Sequence, residues 1–373
     1  MNSNIIVIGP LPPPNYGQSL GFESLYIELN KIAKVLLIDI QPIFSKPGTG
    51  WKITRVAEYF FKFIKYFYYL LITKNSCKIY ITIGQSNSSF CRDFIFIFLG
   101  CLFKRKIYCH LKGGNFRFFY KNSTFYFKFL IKIIYRRVHK IIVLGKSIEN
   151  SFDFCNKINS KVVIVENGLT IDLLKKIKLT KKNKTLNILY LSNLIISKGY
   201  LDLVSSLEIL DKKDINYKCF FAGEIYKSPD DPKEIRDKNL KKFFFNKIQK
   251  FKNVEYLGSV KSSQKEKLLT KCDVFVLPTY YVNEGQPISI IEAMAYGNVI
   301  ISTKYRSIPD LITNEKEGFL INPKNPDAIA KILIDLSQNN EKLTDMKINA
   351  INTYLKNFTR EKHLSKMLKT LEL

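Results

Sequence analysis

The chain is short of acids, of histidine and of tryptophan. Against 59 lysines and arginines stand 32 aspartates and glutamates, which leaves a net charge of +27. Histidine occurs only at 110, 139 and 363. The seven cysteines (77, 91, 101, 109, 155, 219 and 272) are odd in number and form no CxxC. Most sit in apolar runs such as KIYCHL, so they read as buried free thiols of a reducing compartment, not as a disulfide framework. With no DxD, no HExxH and no Cys/His cluster, no metal site is expected, and Asp230-Asp231 reads as a solvated loop pair. Long apolar runs are missing too. The longest uncharged one, Phe94 to Phe103, is about half of the roughly 20 residues a spanning helix needs. The opening MNSNIIVIGP has no basic leader, so no secretory signal is expected and a cytoplasmic location follows.

What is present points to packed domains. The 373 residues are 46% apolar, too many for one ordinary core and comfortable for two. The excess of positive charge suits three kinds of partner: nucleic acid, an anionic membrane surface, or an anionic small substrate. The alternative reading is compositional: Lys, Ile, Asn and Phe are all abundant, as an AT-rich genome would produce.

Short apolar runs alternate with longer periodic segments. Strands are predicted at 4–9, 35–39, 78–83, 106–111, 140–144 and 161–165, and again at 186–191, 217–222, 254–257, 274–277 and 298–302. Helices are predicted at 19–30, 51–74 and 118–137, and then near 198–210, 234–251, 262–270, 287–296 and 326–337. This alternation is that of two doubly wound, mainly parallel α/β halves in series. The domains read as 1–170 and 186–354, joined by a lysine-rich linker at 171–185. The tail from 339 is helical; periodicity does not say which half it joins, and its last helix, about 355–373, can pack back on the first domain. The helices at 51–74 and 118–137 mix aromatics with Lys and Arg, as in FKFIKYFYYLLITK. Such a face either packs its rings into the core or lies on an anionic bilayer.

The sharpest motif is NEGQPISIIEAMAYGNVIIST, residues 283–303. A strand, a loop and a helix start follow one another, with Pro287 suited to the first helical turn. A helix N-terminus offers free N–H groups to a diphosphate, and carboxylates in the loop and helix can take sugar hydroxyls. The spacing alone leaves open a surface acid and a capping acid.

Glu284 and Glu292 in this segment resemble the E-x7-E signature of retaining, family-4 type glycosyltransferases, the glycosyl transferases of group 1. YLSNLIISKGYLDLV (190–204), FFAGE (220–224), VEYLGSV (254–260), IPDLITNEKEGFLINPKN (308–325) and VENGLTI (165–171) resemble further family segments in the right order. The resemblance covers the C-terminal half well and the N-terminal half loosely. It implies the GT-B architecture, two Rossmann-like domains facing across a cleft, with the acceptor on the first and the nucleotide sugar on the second.

By that resemblance Glu292 binds the ribose diol, Glu284 contacts the transferred sugar and Lys198 neutralises the leaving diphosphate. The backbone of Gly285, Gln286, Pro287, Ile288 and Ser289 cradles the donor, and Gly223 and Val260 flank the base. The family usually has Arg where this chain has Asn193, which removes one diphosphate cation. Gly17 lies in the loop after the first strand, where the family brings a glycine to the donor phosphates. In YCHLKGGNFRFFY, similar members read H-L-H-G-G with the second His facing the sugar. Here that place is Lys112, so either His110 or Lys112 supplies the polar contact, or the site is altered.

The activity implied is metal-independent transfer of a hexose-type sugar from a UDP- or GDP-sugar, with retention, to a glycan or polyprenyl-diphosphate-linked acceptor. The setting implied is bacterial surface polysaccharide synthesis on the inner face of the cell membrane. No cofactor is called for. Two alternatives remain at this stage: a basic nucleic-acid-binding protein, and a family member that binds a nucleotide sugar without transferring it.

Overall fold

The computed structural model describes residues 4–13, 17–41, 53–155, 158–169, 185–228, 231 and 239–373, with residues 53–55 described by backbone alone. Nearly all of the expected linker lies outside these residues. Two compact units are present: Met1–Thr170 with Arg360–Leu373, and Ile171–Thr359.

In the first unit β1 (Asn4–Gly9), α1 (Gly17–Ile32), β2 (Lys34–Asp39), α2 (Ile53–Ile72), β3 (Lys78–Ile83), α3 (Asn87–Leu102) and β4 (Ile107–Leu111) alternate. They are followed by α4 (Phe116–Asn122), α5 (Phe125–Arg137), β5 (Lys140–Val143) and β6 (Val162–Ile164). The strands form one parallel sheet in the order β2-β1-β3-β4-β5-β6. Strands such as KIYITI are rich in β-branched and aromatic residues and buried on both faces, as a doubly covered parallel sheet requires. Successive residues alternate between two cores. Ile79, Ile81, Ile107 and Cys109 pack with α2, α3 and α5. Tyr80, Tyr108 and Ile142 pack on the other side with α1 and with Leu364, Met367 and Leu371.

The second unit runs β7 (Leu186–Leu191), α6 (Tyr200–Lys212), β8 (Tyr217–Ala222), α7 (Leu240–Ile248), β9 (Val254–Gly258), α8 (Ser262–Lys271) and β10 (Val274–Leu277). It continues with α9 (Ile288–Ala295), β11 (Val299–Thr303), β12 (Gly318–Ile321), α10 (Pro326–Gln338) and α11 (Asn340–Asn357). Its sheet is also parallel, in the order β12-β11-β10-β7-β8-β9. Each unit is therefore Rossmann-like. α10 starts where Asn325 caps the Ala328 N–H at 3.0 Å and Pro326 opens the first turn. α11 is pinned to the sheet by Lys347, which donates to Asp273 at 2.9 Å in a buried ion pair.

The last helix, α12 (Arg360–Thr370), belongs to the first unit. Beyond it, the Glu372 carboxylate is held by Lys106 and His139, each at 2.8 Å, and by Lys140 at 3.3 Å.

Four expectations need correcting. The segment 118–137 is two helices, broken at Ser123-Thr124 where the backbone turns extended. Lys198 precedes helix α6 in a short 3-10 turn instead of opening it. β12 was not expected as a strand. Asp231 is buried, its carboxylate accepting the Ser228 N–H at 2.6 Å.

Candidate active site

In a doubly wound sheet, ligands bind beyond the carboxyl ends of the strands where the strand order reverses. In the second unit that point lies between β7 and β10. The loop after β7 carries Asn193 and Lys198, and the loop after β10 carries Glu284.

The two loops are lashed together. The Ser197 carbonyl accepts the Tyr280 N–H at 2.7 Å. Gly199, at φ +79°, closes the Lys198 turn in the left-handed region, and a Cβ there would stand 2.3 Å from the Pro278 carbonyl oxygen. Only glycine lets the loops approach this closely.

Across this seam Lys198 Nζ lies 3.5 Å from Glu284 Oε2, and the pair is largely enclosed. Thr279 Oγ1 donates to the same carboxylate oxygen at 3.0 Å, and the Lys198 ammonium sits 5.5 Å from the centre of the Tyr281 ring. Glu284 is thus fixed by a hydroxyl from its own loop and a cation from the other.

Gly285, Gln286 and Pro287 are buried, and the Gly285 carbonyl accepts from Ser307 Oγ at 2.7 Å. Pro287 caps α9, whose first residues Ile288 and Ser289 are half-buried, so the helix starts immediately after the Glu284 loop. Glu292 stands one turn further along, half-buried, and its Oε1 accepts from Lys265 Nζ at 2.6 Å.

Gly223, at φ +142°, brings the end of β8 against the β7 loop. A Cβ there would meet the Ser192 carbonyl at 2.0 Å, and the Gly223 N–H donates to Gly258 at 2.7 Å. Val260 is half-buried just past β9, and Asn193 is exposed, its carbonyl accepting from Tyr190 Oη at 3.3 Å.

In the first unit Gly17 is the exposed first residue of α1. His110 and Lys112 separate. His110 is fully buried, with Nδ1 at 2.8 Å from Tyr80 Oη, and burial drives its pKa well down so that it stays neutral. That environment is a core pairing, whereas Lys112 is half-buried just past the end of the same strand. Lys112 donates to Asn167 Oδ1 at 3.1 Å, and burial pushes its amine down to about 7. Asn167 belongs to the VENGLTI segment. Its neighbour Glu166 accepts from His363 Nδ1 at 2.6 Å through its carbonyl and from Lys366 at 2.8 Å through its carboxylate. The segment therefore ties the end of β4 to α12.

So the structure gathers Lys198, Glu284 and the start of α9, and sets Glu292 against Lys265. Sequence reasoning missed Thr279, Lys265, Tyr281 and Ser307. None lies in a motif, and their roles come from loop and helix packing.

Residues 173–353 match the family model described as glycosyl transferases group 1. An uncharacterized glycosyltransferase of Methanocaldococcus jannaschii is 25% identical over 290 residues, which covers 74% of this chain and 71% of that protein. The N,N'-diacetylbacillosaminyl-diphospho-undecaprenol alpha-1,3-N-acetylgalactosaminyltransferase of Campylobacter jejuni is 37% identical over 90 residues, 24% of this chain and 23% of that enzyme. In fold, the chain is similar to Anabaena HepE, solved in complex with UDP, with a TM-score of 0.73 at 14% identity over 99% of both chains.

Proposed function

We propose that this chain, whose residues 173–353 match the model of glycosyl transferases group 1, transfers a hexose-type sugar, with retention, from a nucleotide-diphosphate sugar to a glycan or lipid-linked acceptor. The observation that carries this reading is the Lys198–Glu284 pair at the strand-order reversal of the second unit. A sugar diphosphate placed there meets a cation for its phosphates, helix N–H groups beside them, and a fixed carboxylate for the sugar hydroxyls.

In the proposed reaction the acceptor hydroxyl attacks the anomeric carbon on the face from which the diphosphate departs. The bond between that carbon and the phosphate oxygen breaks, the new C–O bond forms, and the acceptor's proton passes to the leaving phosphate. Lys198 stabilises the charge that grows on the diphosphate. Glu284 orients the sugar and Glu292 takes the ribose diol. Lys198 provides the charge that a metal ion provides in other transferases, so the reaction is proposed as metal-independent.

A lipid-linked acceptor is supported by the Campylobacter relative, whose name specifies a diphospho-undecaprenol acceptor. It leads to the proposed place of action: bacterial surface polysaccharide synthesis at the inner face of the cell membrane, with the chain peripherally bound.

Proton NMR of the product tests the reading. Retention predicts the same anomeric configuration in donor and product; an inverted product rules out the same-face reaction.

A further inference from the structure

We propose that the first unit docks on an anionic lipid bilayer through the outward face of three neighbouring helices, α2, α3 and α5. This deepens the membrane setting proposed above by assigning the surface, and its test does not depend on sugar transfer.

The crossovers from β2 to β3, β3 to β4 and β4 to β5 all lie on one side of the sheet, so α2 packs beside α3 and α3 beside α5. Their inner stripes, such as Tyr66 and Leu70, Phe96 and Ile97, and Ile131 and Ile134, are core. The outer side of such a layer is expected to be polar.

Here it is apolar. On α2, Val56, Phe60, Ile64, Phe67 and Leu71 follow one another at steps of four and three, all exposed. Phe61, at 68% exposure, widens the stripe. On α3, Ile95, Phe98 and Leu102 repeat the pattern, with Leu102 64% exposed. At the start of α5, Phe125 and Tyr126 are each 78% exposed, with Phe129 one turn on. Rings link the helices at the edges: Phe67 meets Phe103, just past α3, with centroids 5.7 Å apart, and Phe90 of α3 meets Phe127 of α5 at 5.8 Å. An apolar surface spread over three helices is larger than scattered surface hydrophobics and marks an interaction site.

Charge selects the occupant. Between residues 53 and 137 of the sequence Glu58 and Asp93 are the only acids. Asp93 is buried against Arg92 at 2.7 Å. Lys65, Lys74, Lys104 and Arg136 are exposed on these helices or just past their ends, and Lys121 is exposed on α4, which precedes α5. A second copy meeting this face about a twofold axis would set lysine against lysine. A nucleic acid would use the lysines but leave Val56, Ile64, Leu71 and Leu102 in water. A bilayer with anionic headgroups takes both, the rings and leucines at the acyl boundary and the lysines among the headgroups. Among the described residues no helix is long and apolar enough to cross a membrane, so the contact lies in the plane of the interface.

The test is co-sedimentation of the full chain with phosphatidylcholine vesicles, with and without phosphatidylglycerol, at low and high salt. The account expects binding to the anionic vesicles at low salt and weakening at high salt. The Phe61→Ser/Leu71→Ser variant, which removes highly exposed side chains, should bind at least about tenfold more weakly with an unchanged melting curve. Lys65→Glu and Lys104→Glu should each lower binding to anionic vesicles at least about fivefold, since each lysine near the surface contributes about a factor of five. Absence of binding, equal binding to neutral vesicles, or unaltered binding by the serine variant overturns the proposal. So does a dimer, seen by light scattering, that the serine variant abolishes. Vesicle binding in a chain that binds no nucleotide sugar would sink the enzymatic reading and leave this one standing; donor binding without vesicle binding would do the reverse.

Discussion

Lys198 and Glu284, brought to 3.5 Å by two loops on either side of the strand-order reversal, form a preassembled pair of opposite charges. A sugar diphosphate carries the complement of both: anionic oxygens for the ammonium and hydroxyls for the carboxylate. The pair is largely enclosed, so each charge depends on the other for its compensation.

Lys198→Met should therefore lower transfer about 100- to 1000-fold, the cost of losing one preorganised charge at a leaving group. Its melting temperature should fall as well, because the buried Glu284 carboxylate is left without its cation. A variant within about threefold of the parent chain would remove Lys198 from the proposed mechanism. Steady-state kinetics and thermal melts measure the two effects.

Glu292 is oriented by Lys265 at 2.6 Å. If Glu292 takes the ribose diol as proposed, Lys265→Met should raise KM for the donor several-fold and leave kcat nearly unchanged, because the lysine then positions a binding group and touches no reacting atom. Loss confined to kcat would contradict this.

Gly199 and Gly223 test the loop geometry. Alanine at either must adopt a positive φ and push against a backbone carbonyl, at 2.3 Å for Gly199 and 2.0 Å for Gly223. Each substitution should cost roughly 1–3 kcal/mol of stability. Gly258 also has a positive φ, +63°, but a Cβ there meets nothing within 4 Å, so its alanine variant should lose least. Denaturant unfolding gives the ranking.

Two bases with lowered pKa values contribute to the pH dependence of the first unit. His363 is pushed down to about 3 by burial and by Lys112, from an ordinary 6.5. Unfolding then takes up a proton between about pH 3 and 6.5, so its contribution to stability falls as pH drops through that window. Lys112 is pushed down to about 7 from 10.5, so stability rises with pH between these values. His363→Gln should flatten the acid limb of melting temperature against pH, and Lys112→Met the alkaline limb. Slopes identical to the parent chain would contradict both assignments.

Much of this was legible in the sequence. Apolar runs such as LNILYL and VFVL have the length and residue types of strands buried on both faces, and they are strands. The Glu284 segment could be singled out because a strand, a loop and Pro287 at a helix start follow one another, and the Lys198 segment through its resemblance to a family segment. Four-residue β12, GFLI, was missed because its strand character comes from pairing with β11. The break at Ser123-Thr124 had a signal in the Asn-Ser-Thr run, which the flanking aromatics outweighed. That α12 joins the first unit depends on Leu364, Met367 and Leu371 meeting Phe22 and Tyr80, a contact between chain ends that no local period encodes. The exposure of the α2 and α3 stripes likewise required the layer order, since the same pattern describes a core helix.

The most direct test of the central assignment is a thermal-shift screen of the full chain against UDP, GDP and a panel of their sugars, with Glu292→Ala alongside. The account predicts that at least one nucleotide sugar raises the melting temperature of the parent chain and that the variant loses that shift while keeping its own melting point. No shift with any donor, or an equal shift in the variant, would contradict it.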